Sequence, residues 1–169
     1  MNIPLSNEQI DKALTIDNSY IVKYSELDNF TTLSELFGTK QFIILLIESE
    51  HNSGHWVVFY RVETNHYIYF NSFGNKYDTD LSLIGRLSNK ILGNEYNSIR
   101  KLIGLNDKIE WNRIKYQSVK SSVCGRYCIF VVRQLRQNKT LSEIQTYLKE
   151  NKKAFKSYDE LILHETKDV

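Results

Sequence analysis

The sequence predicts an α+β domain in which a central mixed sheet is flanked by helices, and three observations point there. Gln41 to Ile47 is a continuous apolar run of strand length bounded by turn-type residues, the pattern of a strand buried on both faces. Two strand-like segments follow, His55 to Val62 and His66 to Phe70, joined by Glu63-Thr64-Asn65, and they read as a hairpin. Val123 to Leu135 carries Cys124, Tyr127, Cys128, Val131 and Leu135 at helical spacing, with Phe130 and Val132 widening the stripe, which describes an enclosed core helix. The 169 residues are one domain's worth of chain and enough to bury a real core. Residues 1–169 are therefore expected to form a single domain of the α+β class.

Taken in order, Ser6-x-x-Gln9 is a capping box that opens a short helix through about Leu14, because each side chain can satisfy the other's orphan amide. The stretch to Asn29 is ambiguous. Thr31 to Phe37 reads as a helix ending at Gly38, and Asn52-Ser53-Gly54 breaks the chain before the hairpin. From Thr79 to Leu92, the residues Leu81, Ile84, Leu87, Ile91 and Leu92 recur at helical spacing ahead of Gly93, predicting one surface helix with a buried face. Glu110 to Gln117 alternates around Trp111 and Ile114 and suggests another strand, followed by the polar loop Ser118 to Ser122. Thr140-x-x-Glu143 is a second capping box, and two helical stretches run from Leu141 to about Glu150 and from Lys152 to about His164.

Composition narrows the function classes. With 41% hydrophobic, 25% charged and 12% aromatic residues, disordered, collagen-like and disulfide-scaffold chains are excluded. Lys plus Arg is 22 against 20 for Asp plus Glu, a net +2 that does not mark a nucleic-acid binder. The cluster Lys149, Lys152, Lys153 and Lys156 reads as a solvated helix face. Phe42 to Ile47, the longest apolar run, is far below the roughly 20 residues that span a bilayer. No basic-then-apolar signal layout opens the chain. The only cysteines, Cys124 and Cys128, share one helix, where a mutual disulfide has awkward geometry; free thiols, a reducing compartment and a soluble intracellular monomer are expected.

Cys124 begins the core helix after a loop of small residues, where the helix dipole favours thiolate over thiol. His55 starts a strand directly after a glycine-containing loop, and an imidazole within reach of the thiol would take its proton and return it to a leaving amine. Asn71, at the end of the second hairpin strand, comes alongside His55 if the hairpin forms, and its amide oxygen would orient the ring without adding charge. Gln117 could point an amide donor beside the Cys124 backbone amide, making an oxyanion hole. Trp56 and Trp111 read first as core residues. Adjacent strand residues face opposite ways, so Trp56 would shape a cleft at His55 only indirectly.

The pieces Gly54-His55-Trp56, Phe70-Asn71-Ser72-Phe73-Gly74 and Gln117-Ser118-x5-Cys124-Gly125 resemble adenain, the adenovirus maturation protease, and more distantly the proteases specific for ubiquitin-like proteins. The likeness covers roughly His51 to Leu135, and a compact chain of this size is similar to the maturation proteases of virophages and of large virus-like DNA transposons. The resemblance implies a papain-like, adenain-like fold and a thiol protease. In it Cys124 is the nucleophile, His55 the general base, Asn71 the orienting residue and Gln117 an oxyanion donor. Gly54, Trp56 and Gly125, beside the reacting groups, are the candidate substrate contacts. Adenain-like enzymes usually carry Asp or Glu at the position of Asn71, so either Cys-His-Asn operates as in papain or a nearby carboxylate substitutes, Asp78 being the first candidate. The implied substrate is a viral capsid precursor cut at glycine-containing sites, in host cytoplasm or viral factory, by an enzyme packaged in the virion. The resemblance also implies stimulation by DNA and an activating peptide, for which a net +2 gives little independent support. No metal or cofactor is required.

Four Leu/Ile-rich segments end in glycine, at Gly38, Gly85, Gly93 and Gly104. They mimic such cleavage sites, but glycine after a helical stretch is the usual left-handed terminator. Two rival readings remain. His51-x3-His55 with Cys124-x3-Cys128 supplies four zinc-type ligands, though in an apolar helix rather than in exposed turns. The same Cys-His pair would also serve a ubiquitin-like-modifier isopeptidase or an acyltransferase.

Overall fold

The computed structural model describes residues 3–169. Its first helix, α1 (Asn7–Leu14), opens on the capping box that the sequence predicts, with the Ser6 and Gln9 side chains each accepting from the other's amide. The ambiguous stretch contains strand β1 (Ile21–Lys23) between two 3-10 turns, a strand too short to carry a periodicity signal. Helix α2 (Leu33–Phe37) starts at Thr32 as N-cap and stops at Gly38. Strands β2 (Phe42–Glu50), β3 (Ser53–Glu63) and β4 (His66–Phe70) follow, then helices α3 (Arg86–Leu92) and α4 (Ser98–Leu102) and strand β5 (Lys108–Trp111). The chain finishes with α5 (Cys124–Arg136), α6 (Leu141–Asn151) and α7 (Tyr158–Glu165).

The five strands form one mixed sheet in the order β1-β2-β3-β4-β5, parallel at both edges and antiparallel in the middle. Side chains alternate across it, as the pleat requires. Phe42, Ile44, Leu46, Trp56, Val58, Tyr60, Ile68 and Phe70 pack on one side with α5 and residues of α1, α6 and α7. Ile43, Leu45, Ile47, Val57, Phe59, Tyr67 and Tyr69 pack on the other with residues of α2 and α4. β2 is accordingly buried on both faces from Phe42 to Glu48, as its apolar run predicts. Each fully buried Leu, Ile or Phe contributes about 1.5–3 kcal/mol, so the two apolar layers hold the helices to the sheet. Among the described residues, no helix is long and apolar enough to cross a membrane.

Four expectations are corrected. The helix predicted from Thr79 to Leu92 is a 3-10 turn, Asp80–Leu83, broken from α3 at Ile84-Gly85. The break puts α3 out of phase with the turn. Asn89 takes the buried position, its amide donating to the Leu81 and Ile84 carbonyls, while Leu83, Leu87 and Ile91 stand 77%, 70% and 73% exposed. The strand predicted over Glu110 to Gln117 ends at Trp111, because Arg113 adopts a left-handed backbone that cannot continue a ladder. The last helix does not start at Lys152: a 3-10 turn there gives way to α7, which Ser157 caps through the Glu160 amide. Of the four glycines read as terminators, Gly38 and Gly93 close helices with positive φ. Gly85 instead precedes α3, and Gly104 follows α4 without a positive φ.

Candidate active site

The last β3–β4 pair is Val58 with Phe70, so His55 and Trp56 run past the end of β4 and Asn71 lies just beyond it. The N-terminus of α5 comes to this open end of the sheet. There the Cys124 thiol and the His55 imidazole face each other closely enough that each shifts the other's pKa. His55 Nε2 lies 2.8 Å from Asn71 Oδ1, which leaves Nδ1 as the ring nitrogen for sulfur. The backbone amides of Trp56 and Gly125 also reach the sulfur. Burial acts to raise the Cys124 pKa, but the imidazole and these two amides outweigh it and the thiol is lowered from its ordinary value. Burial likewise acts to lower the His55 pKa, and the facing sulfur, the charge of Asp80 and the Asn71 bond together raise it. Both shifts favour thiolate beside imidazolium, at the positive end of a 13-residue helix.

The segment after β4 supplies the supports residue by residue. Asn71 is completely buried. Its Oδ1 accepts a second bond from the Phe73 amide at 2.9 Å, its Nδ2 donates to Asp80 Oδ2 at 2.6 Å, and its backbone exchanges bonds with the Asn112 side chain at 3.0 and 2.7 Å. The Ser72 hydroxyl donates to Gln117 Oε1 at 2.6 Å, and the Ser72 carbonyl accepts from the amides of Tyr116 and Gln117. The Phe73 ring stacks on the imidazole with centroids 4.5 Å apart. Gly74 has φ +76°, and a Cβ there would come within 2.7 Å of the Ile114 backbone, so only glycine lets the two segments approach so closely.

Gln117 is buried, with Nε2 donating to the Ser121 carbonyl at 2.9 Å. Because Ser72 holds its oxygen, the amide orientation is set, and the Ser121 bond uses one of the two Nε2 hydrogens. Gly54 and Gly125 both have packing reasons for lacking a side chain. A Cβ on Gly54 would sit 2.0 Å from the Ile47 carbonyl oxygen, and one on Gly125 would sit 3.2 Å from Leu5 Cβ. The Trp56 indole, expected at the substrate, is 6% exposed and belongs to the apolar layer under α5; its amide, not its ring, addresses the sulfur.

Asp78 does not substitute for Asn71. Its carboxylate accepts from the Tyr24 hydroxyl and from the Ile99 and Arg100 amides, tying α4 to the 3-10 turn that contains Tyr24. The carboxylate behind the site is Asp80, two residues on, which is 6% exposed and also accepts from Asn75 Nδ2 at 2.8 Å. Sequence reasoning missed Asp80 and Asn112. The only signal for Asp80 was a charged residue inside an apolar periodicity, and Asn112 carried none. The proposed zinc ligands do not gather: His51 is exposed in the β2–β3 turn, Cys128 is shut in the core, and no group of three or more His, Cys, Asp or Glu among the described residues is placed to hold a metal.

No protein-family model matches the sequence. Among curated proteins, it is 30% identical over 150 residues to "Uncharacterized protein V9" of Sputnik virophage, a match covering 86% of this chain and 83% of the relative. The chain belongs to the V9 family of virophage proteins. The match is long enough that the V9-family kinship takes in most of the fold as well as the segment bearing the site, and it ties the chain to a viral setting.

Proposed function

We propose that this V9-family chain is a cysteine endopeptidase of the adenain type that cuts viral structural precursors during virion maturation. The observation that carries the reading is the line in which Cys124, at the N-terminus of a buried helix, faces His55, and His55 in turn hydrogen-bonds Asn71. In this reading the Cys124 thiolate attacks the scissile carbonyl carbon, and the oxygen takes the negative charge facing the free Nε2 hydrogen of Gln117 and the Cys124 amide. The tetrahedral adduct collapses as the His55 imidazolium gives its proton to the departing amine, leaving a thioester on Cys124. Neutral His55 then draws a proton from water, the hydroxide displaces the thioester, and the carboxylate product leaves with the thiolate–imidazolium pair restored. The virophage relative supports a viral setting, and the likeness to adenain supports a capsid precursor as substrate, cleaved at glycine-containing sites in host cytoplasm or viral factory, by an enzyme carried into the virion.

The test is iodoacetamide alkylation from pH 4 to 9, read by mass at each cysteine, beside incubation with the capsid precursor of the same virus. Rapid modification of Cys124 below pH 7 that disappears in His55→Ala, together with precursor cleavage that disappears in Cys124→Ala, is the expected result. Ordinary alkaline-only reactivity at Cys124, with an intact precursor, would sink the reading.

A further inference from the structure

The arrangement around Asn71 goes one bond deeper than nucleophile, base and orienter. We propose that Asp80 is a positioning residue that, acting through Asn71, holds His55 with Nε2 as donor and Nδ1 toward the thiol, and so gives a neutral asparagine the effect of a carboxylate. The inference rests on the protease reading above.

An asparagine amide by itself is a poor orienter, because its oxygen and nitrogen ends are nearly the same size and a half-turn exchanges acceptor for donor. Here both ends are committed. Oδ1 faces two donors, His55 Nε2 and the Phe73 amide, while Nδ2 faces Asp80 Oδ2. A turned amide would set its oxygen against a carboxylate and its NH2 against two N–H groups, losing three bonds in a buried place. Asp80 thereby selects the rotamer, the rotamer selects the imidazole tautomer, and the tautomer decides which nitrogen meets sulfur. The carboxylate adds charge as well as direction. It is 6% exposed, donates nothing, and polarises the amide that touches the ring, strengthening the His55 bond. Its field falls on the imidazolium and is one of the causes that raise the His55 pKa.

The other titratable or charged groups in this neighbourhood are few. Cys124 faces His55 from α5. Tyr69 on β4 is held protonated, first by burial and then by the charges of Asp80 and Asp78. Lys115 sits over the outer face of Phe73, 5.9 Å from the ring centroid.

The pH profile of Cys124 alkylation in Asp80→Asn tests this. Removing the carboxylate takes away a charge that favours the imidazolium and frees the amide to turn, so the Cys124 midpoint, which depends on that imidazolium, rises by about one pH unit, with Cys128 still inert as the sign that the core is intact. Adding Asn71→Asp to Asp80→Asn exchanges carboxylate and amide and brings the midpoint back towards the wild-type value, whereas Asn71→Asp alone sets two carboxylates face to face and does not. A wild-type midpoint in Asp80→Asn with Cys128 protected overturns the inference and leaves the protease reading standing. Should Cys128 become reactive in Asp80→Asn, the exchanged pair decides: folded with a restored midpoint it upholds the inference, folded without one it refutes it. A wild-type protein lacking His55-dependent reactivity below pH 7 removes both readings together.

Discussion

Cys124 and Cys128 stand one turn apart on α5, both buried, at 7% and 1% exposure, and their thiols are pushed in opposite directions. Burial acts to raise both. At Cys128 burial prevails, and the neighbouring Cys124 adds to it, so the side chain is a small hydrophobe with no accessible chemistry. At Cys124 the imidazole of His55 and two backbone amides meet the sulfur and reverse the sign. The difference teaches that a low-pKa cysteine is made by donors aimed at it, in excess of what burial costs. The same contrast holds between Asp78 and Asp80. Both are acceptors in buried surroundings, yet Asp78 joins α4 to Tyr24 while Asp80 addresses the amide that touches His55.

The sharpest way to break the first comparison is to exchange the roles of the two thiols. Cys124→Ala should reduce precursor cleavage to background with thermal stability nearly unchanged. Cys128→Ala should keep cleavage within about 3-fold and instead cost roughly 1–2 kcal/mol in denaturant unfolding, the loss of one small buried group. Equal loss of cleavage in both variants would mean that the cysteines matter for packing alone.

Next in size, His55→Ala should lower the cleavage rate by about 10²–10⁴-fold, the usual share of a general base. It should also move Cys124 alkylation into the alkaline range, since only the Trp56 and Gly125 amides then oppose burial at the sulfur. Asn71→Ala should lie at the bottom of that same range, its ring losing direction but keeping a base. A larger fall for Asn71→Ala than for His55→Ala would reverse the assigned roles.

The pH dependence follows from the two shifts. The thiolate is lost as pH falls through the lowered Cys124 pKa, and the imidazolium is lost as pH rises through the raised His55 pKa. Cleavage should therefore trace a bell, with its acid limb below the ordinary thiol value, and His55→Ala should erase that limb. Smallest in effect on chemistry, Asp78→Asn should leave the Cys124 alkylation midpoint within about 0.3 unit while loosening α4, read as a lower Tm. A shift as large as that of Asp80→Asn would show the two carboxylates to be interchangeable.

Local signals carried much of the molecule. The apolar run of β2, the hairpin of β3 and β4, the capping boxes at Ser6 and Thr140 and the stripe of α5 are short-range patterns, and each is where the sequence puts it. The line of Cys124, His55 and Asn71 was legible for a related reason: Cys124 opens a recognisable helix, and the hairpin alone brings Asn71 near His55. What the sequence could not decide were features set by partners distant along the chain. β1 exists because β2 pairs with it. Leu87 and Ile91 of α3 face outward because a two-residue break turned the helix and an asparagine took the inward position. Asp80 rather than Asp78 backs the site because a 3-10 turn beginning at Asp80 aims one carboxylate at Asn71 and the left-handed backbone at Asp78 aims the other at α4. Composition and periodicity determined which elements form, since they are read within a few residues. The direction of a single side chain depends on every loop that precedes it, and that only the folded chain decides.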